Sequence, residues 1–297
     1  MLSLPKVKKA GKSDLVHVMT LADIYFNLNS IQKMGALMKY VELGKTEEKV
    51  PAIGFGTWKL GNDGIDAIKK SIELGANFID TAEMYGNEAI VGRAIKGADA
   101  FIATKVSAHH LHYDDVIKAC KNSIRLLGVK KIDLYQIHWP NPAIPIQETM
   151  RAMEKLVDEG LVRHIGVSNF SLSELKEAQS AMSKYEIVSN QVEYNIMVRG
   201  IEEDLLPFCK KEKITVIAYS PLARGAVFRE KKAYGLLNEL AGKYGRSIAQ
   251  ISLNYLIANG GVVAIPKASD TKHVEENVGA ADFTISKEDL AKIRRFL

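Results

Sequence analysis

Cysteine is nearly missing from this chain: Cys120 and Cys209 are the only two among 297 residues. Two cysteines cannot build a disulfide framework. Both fall in helix-like stretches, "VIKACKNSIRLLG" and "EEDLLPFCKKEK", where a buried thiol serves as a small apolar group. A reducing, cytoplasmic compartment is therefore expected. A dense block of Lys and Arg interleaved with aromatics is also lacking, and a formal charge of +5 is small for this length. This excludes an extended nucleic-acid surface and leaves room only for a local anion pocket. Nor is there an uninterrupted run of about twenty apolar residues, so no membrane span is expected. The stretch "LVHVMTLADIYFNLNSIQKMGAL" is broken by His17, Asp23, Asn27 and Asn29 and lacks a small-residue cleavage site, which excludes a signal peptide.

What is present is the composition of an ordinary soluble globular protein, 47% hydrophobic and 25% charged. Residues 1–37 look unlike the rest and read as an extension outside the catalytic core. From Met38, "MKYVELGKTEEKVPAIGFGTW" reads as two strands around a turn. Beyond it one unit repeats: a short apolar run, a polar loop, then a segment of helical period. The runs are "AIGFGT", "NFIDT", "FIATK", "DLYQIHW", "HIGVSN", "IVSNQVEY", "TVIAYS" and "VVAIPK". The segments between them, such as "YDDVIKACKNSIRLLG" and "IQETMRAMEKLVDEG", start on an acidic turn or stop at Gly, as helix termini favour. Near-continuous apolar strands alternating with helices call for a parallel sheet. Eight such units point to an α/β fold, a (β/α)8 TIM barrel, with the preceding hairpin closing its N-terminal end. No linker rich in Pro, Gly or Ser divides the units, so 38–297 reads as one domain.

In such a barrel the chemistry gathers at the C-terminal ends of the strands. Strand two delivers Asp80 and then Tyr85, strand three ends in Lys105, and strand four carries His138. A free Tyr phenol, with a pKa of about 10, is a weak proton donor at neutral pH. A nearby ammonium stabilises its phenolate, and Lys105 supplies one. A buried Lys in turn needs a carboxylate to stay charged, and Asp80 fits. A neutral His138 is left to hold a carbonyl oxygen near the phenol. Taken singly, the Asp reads as a helix cap, the Lys as a solvent-reaching strand end and the His as a satisfied core residue; taken together at neighbouring strand ends, they read as a general acid with an orienting group.

These residues sit in stretches that resemble the aldo-keto reductase superfamily, in its prokaryotic, diketogluconate reductase-like branch. "NFIDTAEMYGNE" is similar to that family's first signature, "IDLYQIHWP" to its central one and "AIPKASDTKHVEENV" to its last; "GFGTWKLG", "GVSNF" and "YSPL" fall before and between them in order. The resemblance implies a catalytic tetrad of Asp80, Tyr85, Lys105 and His138, with Tyr85 as proton donor and hydride from a reduced nicotinamide. It implies that Ser168, Asn169 and Gln191 hold the nicotinamide amide, that Tyr219 stacks on its ring, and that Ser220 and Leu222 meet the pyrophosphate. Thr57 joins the cofactor set, and Trp58 and Trp139 line the substrate pocket. The glycines of "GFGTW" precede no helix N-terminus, so they read as close-packing positions rather than a dinucleotide turn.

The last signature departs from the family. Lys267, Glu276 and Asn277 match residues around the adenosine phosphate and adenine. The usual Ser beside that Lys is Ala268, with Ser269 next to it, and the usual Arg six residues on is His273. One firm cation in place of two predicts NADPH preferred and NADH usable. The implied activity is NAD(P)H-dependent reduction of aldehydes, ketones or sugar-derived carbonyls, with a small carbonyl compound as partner and a monomer or weak homo-oligomer as the assembly. Two other readings are a nicotinamide-binding subunit without turnover and a Schiff-base barrel using Lys105. The histidine-rich stretch "SAHHLHYDD", with His109, His110 and His112, lacks the separation of a structural metal site and is expected to solvate a loop or trim the pocket rim, with no metal bound.

Overall fold

The computed structural model describes residues 38–297; the extension expected over 1–37 lies outside the described residues. The chain enters through a hairpin of β1 (Tyr40–Glu42) and β2 (Lys49–Pro51), paired antiparallel with Val41 opposite Val50. Each of the eight apolar runs then forms a strand: β3 (Phe55–Gly56), β4 (Phe78–Asp80), β5 (Phe101–Val106), β6 (Ile132–Ile137), β7 (Val162–Ser168), β8 (Ile187–Glu193), β9 (Thr215–Tyr219) and β10 (Val262–Ala264). They pair parallel in chain order. The ring is closed by a parallel bridge between Ile53 and Ala264, supported by Gly54 N–H donating to Ala264 O and Ala264 N–H to Ala52 O, each at 2.8 Å.

Apolar side chains divide into two layers because every strand is covered on both faces. Inside the barrel, Phe78 stacks on Phe101 at 5.2 Å, with Leu134, Ile217 and Val263 above the hairpin's Leu43 and Val50. The hairpin is fixed by Thr215, whose Oγ1 accepts from Gly44 N (2.9 Å) and donates to Glu42 O (3.0 Å). It closes the base of the barrel, as the sequence predicts. The outer layer packs between the strands and, among the described residues, ten helices: α1 (Ile65–Glu73), α2 (Glu88–Ile95), α3 (Tyr113–Leu127), α4 (Ile146–Asp158), α5 (Leu172–Ser180), α6 (Leu205–Lys211), α7 (Lys231–Tyr244), α8 (Ile248–Ile257), α9 (Thr271–Val278) and α10 (Lys287–Phe296). In α4, Met150, Met153 and Leu156 recur at helical spacing and are all fully buried; truncating such a leucine to alanine costs about 2–5 kcal/mol.

Two features go beyond the repeating strand–helix unit. The long segment "KAYGLLNELAGKYGRSIAQISLNYLIANG" is two helices, because Gly245 (φ +60°) ends α7 in a left-handed turn and Ser247 restarts α8 through a capping box with Gln250. The final "SKEDLAKIRRF" forms α10, capped by Ser286 Oγ accepting from Asp289 N. Cys120 on α3 and Cys209 on α6 are buried, and burial pushes both thiols up to about 12. Among the described residues no helix is long and apolar enough to cross a membrane.

Candidate active site

The strand β4 ends at Asp80 and is followed by a short 3-10 turn, Glu83–Tyr85, that lifts Tyr85 over the barrel mouth. Gly86 ends the turn at φ +65°, a conformation that costs glycine little. Asn87 then pins the segment: its Nδ2 donates to Thr57 O (2.7 Å), and its Oδ1 accepts from Thr81 Oγ1 (3.0 Å). On β5 the side chains alternate, so Phe101, Ala103 and Lys105 point into the barrel. Lys105 Nζ donates to Asp80 Oδ1 (2.7 Å) and Thr81 O (2.8 Å) and reaches Tyr85 Oη at 3.5 Å. The other Asp80 oxygen accepts from Gln191 Nε2 at 2.8 Å. His138 leaves β6 edge-on to Tyr85, with ring centroids 5.6 Å apart. The four ionisable residues, read from three neighbouring strand ends, are thus brought together at the barrel mouth.

Lys105 is entirely buried and Asp80 nearly so. Burial pulls Lys105 down, but the Asp80 carboxylate and the Tyr85 hydroxyl more than offset it and hold the ammonium above its ordinary 10.5. Burial also dominates at Tyr85. It raises the phenol, Lys105 pulls it down, Asp80 adds to the rise, and the net direction is above the ordinary 10.0. This reverses the expectation of a lowered phenol pKa: burial outweighs the pull of the Lys105 ammonium, and the Asp80 carboxylate paired with that ammonium adds to the rise. Tyr85 is consequently a protonated acid across the neutral range. Burial and then the Lys105 charge hold His138 down at about 3, so its imidazole is neutral.

Above this floor opens a cleft of about 590 Å³. One wall carries Ser168, Asn169 and Gln191 from β7 and β8. Asn169 adopts φ +63°, which asparagine tolerates better than most residues. It joins three strands there: its Nδ2 donates to His138 O (2.9 Å) and its Oδ1 accepts from Tyr219 Oη (3.0 Å), while its N–H donates to Gln191 O (2.8 Å). At the rim, Ser220, Ala223, Arg224 and Gly225 are all left-handed, turning the segment after β9 back over the cleft with Leu222 and Arg224 facing it. Trp58 and Trp139 stand half-exposed at the mouth. Thr57 lines the floor, where its buried Oγ1 has no hydrogen-bond partner among the described residues; His138 Nδ1 has none either. Unpaired polar atoms, a basic rim of Arg224 and Lys267, and an apolar half lined by aromatics fit a large anionic cofactor with a polar planar end. Gly56 is a close-packing position, as its sequence context suggests, since a Cβ there would lie 2.8 Å from Ile265 O.

The last signature divides. Lys267 lines the cleft, whereas Ser269, His273, Glu276 and Asn277 lie beyond its lining, on the turn into α9 and on that helix. His273 is already engaged: its Nδ1 meets Asp270 Oδ2, and its N–H donates to Asp270 Oδ1 at 3.0 Å, which caps α9. Sequence reasoning missed Met84, Arg224 and Phe228 in the cleft. Arg224 lies 5.9 Å from the Trp58 ring, with Lys59 Nζ 4.5 Å from the same ring. The signal for Arg224 and Phe228 was the Gly in "ARGAVF" directly after "YSPL", which permits the return over the mouth. In the histidine-rich loop, His110 meets Glu83 (2.6 Å) and His112 meets Glu148 (3.2 Å).

The profile of the Aldo/keto reductase family matches residues 52–297. Methylglyoxal reductase YeaE of Escherichia coli (strain K12) is 38% identical over 258 residues, covering 82% of this chain and 90% of that protein. Among solved structures, a thermostable aldo-keto reductase in complex with the inhibitor epalrestat is 42% identical with a TM-score of 0.83, covering 88% of this chain and 100% of that one. An aldo-keto reductase from Klebsiella pneumoniae in complex with NADPH is 38% identical with a TM-score of 0.82, covering 87% and 94%. A (β/α)8 barrel closed by a hairpin, with the match running from the end of that hairpin to the last residue, leaves one assignment: this chain is an oxidoreductase of the aldo-keto reductase family.

Proposed function

We propose that the protein reduces aldehydes and ketones to alcohols with NADPH, using Tyr85 as the proton donor. The observation that carries this reading is the placement of Lys105 Nζ, 2.7 Å from Asp80 and 3.5 Å from the Tyr85 hydroxyl, beside a neutral His138. When bound, the reduced nicotinamide supplies a hydride to the carbonyl carbon. The chain's own residues do the rest. His138 holds the carbonyl oxygen by a hydrogen bond, and Tyr85 gives its phenolic proton to that oxygen as negative charge develops there. The resulting phenolate lies beside the Lys105 ammonium, which Asp80 keeps charged. Solvent returns the proton to Tyr85 after release. Ser168, Asn169 and the free Oε1 of Gln191 would hold the nicotinamide amide and Tyr219 would face its ring. Thr57, Ser220, Leu222 and Arg224 would meet the remainder of the cofactor, with Lys267, Ser269, Glu276 and Asn277 at its adenosine end.

NADPH is preferred and NADH usable. Lys267 is a firm cation for a 2′-phosphate, but His273 is tied to an anionic Asp270 and gives little further support. The substrates are small carbonyl compounds, including sugar-derived ones. Dicarbonyls join the list through the relative named a methylglyoxal reductase, and the Trp58 and Trp139 rim accommodates an apolar end. Initial rates of nicotinamide oxidation with both cofactors, against simple aldehydes, dicarbonyls and keto-sugars, test this. Turnover with NADPH at a higher kcat/KM than with NADH is expected; tight binding of both cofactors with no turnover of any carbonyl would refute it.

A further inference from the structure

We infer that Glu83 is a positioning residue for Tyr85, and that the histidine-rich loop after β5 is its anchorage. The inference rests on the proposed role of Tyr85. Tyr85 stands on the Glu83–Tyr85 turn, and within that turn Glu83 fastens it sideways to another element. Its Oε2 accepts from Ser107 N at 2.8 Å, and its Oε1 meets His110 Nδ1 at 2.6 Å. A carboxylate can only accept, so His110 carries its proton on Nδ1 in this pair. Ser107 follows β5, the strand that bears Lys105, so one side chain locks the turn carrying the proton donor to the strand carrying the ammonium.

The far side of that loop is equally fixed. Asn141, in the segment that follows His138 and Trp139, donates its Nδ2 to Ala108 O at 2.9 Å, and Thr149 of α4 donates its Oγ1 to Leu111 O at 2.7 Å. The backbone N–H of His110 closes the loop on Ser107 O at 2.9 Å. The turn bearing Tyr85, the loop that follows the strand bearing Lys105, and the segment that follows His138 are thereby bound to one another outside the cleft. Glu83 is the member of the Tyr85 turn that reaches out to the loop after β5 by charge-assisted bonds. The long 3.5 Å contact from Lys105 to the phenol cannot hold the ring by itself. "SAHHLHYDD" thus acquires a use that neither metal binding nor cofactor binding gives it.

The test compares Glu83→Ala, Glu83→Gln and His110→Ala with Tyr85→Phe, reading kcat, carbonyl KM, NADPH Kd by fluorescence, and melting temperature. Glu83→Ala is expected to lower kcat about tenfold or more, as misplacement of a reacting group does, with NADPH Kd within twofold of the parent. Glu83→Gln, whose amide can accept from Ser107 N and donate to His110, is expected to recover most of that loss. Unchanged kcat in Glu83→Ala overturns the inference, as does a loss that Glu83→Gln shares in full. If Glu83→Ala does not fold, His110→Ala decides: a fall of several fold in kcat supports the anchorage and a parental kcat overturns it. Full turnover in Tyr85→Phe would instead remove the reading of Tyr85 on which this one stands.

Discussion

The buried pair of Lys105 and Asp80 makes a stability prediction that is separate from catalysis. At 2.7 Å, two unit charges attract by about 6 kcal/mol at an effective dielectric of about 20. Removing both from water costs several kcal/mol per ion, so the pair is close to neutral overall. Breaking it is not neutral. In Lys105→Met the Asp80 carboxylate keeps only the Gln191 Nε2 bond and remains buried without a counter-charge, a loss of about 3–5 kcal/mol. For a barrel of this size that corresponds to a fall in Tm of roughly 6–20 °C. Adding Asp80→Asn removes the stranded charge and retains a polar partner for Gln191, so Asp80→Asn/Lys105→Met should recover most of the loss. Differential scanning calorimetry on Lys105→Met, Asp80→Asn and the double variant, with circular dichroism to verify the fold, reads the coupling directly. A single variant as stable as the parent, or a double variant no better than the worse single, would show that the two charges are not coupled.

His138 has its folded pKa depressed to about 3 from an ordinary 6.5. Below pH 6.5 the unfolded chain binds a proton that the folded one refuses, so stability is fully present above 6.5 and falls as pH drops toward 3, by on the order of 5 kcal/mol; His138→Gln should flatten the dependence of Tm on pH in that window, and an unchanged slope would count against a buried neutral imidazole. Tyr85, raised above 10.0, should leave carbonyl reduction free of any phenol-linked loss below pH 10, whereas a kcat/KM that titrates away between pH 7 and 9 and is lost in Tyr85→Phe would contradict the raised phenol. His273→Arg should increase the NADPH/NADH ratio of kcat/KM by about tenfold, the scale of one charge-assisted contact of about 1.5 kcal/mol; an unchanged ratio would place position 273 outside the 2′-phosphate site.

The barrel was legible because its strands are buried on both faces and stand out as apolar runs, so the residues that break those runs, Asp80, Lys105 and His138, announce the mouth. Gly245 and Ser247 carried the break between α7 and α8 in plain view, but their turn is short enough to hide inside one helical period. The direction of the Tyr85 shift could not be read from residue types, because it depends on how burial weighs against an ammonium paired with Asp80. Glu83 and His110 lie 27 positions apart and meet only because β4 and β5 are neighbours in the sheet. Arg224 reaches the cleft through a run of left-handed residues that no periodicity signals.

The proposed mechanism stands on Tyr85 as the proton donor. Single-turnover oxidation of NADPH by a dicarbonyl, measured for the parent and for Tyr85→Phe with NADPH Kd determined alongside, tests it most directly. Hydride transfer in Tyr85→Phe is expected to slow by about a hundredfold or more, the scale of a lost general acid, with cofactor affinity unchanged. Hydride transfer at the parental rate in Tyr85→Phe would contradict it.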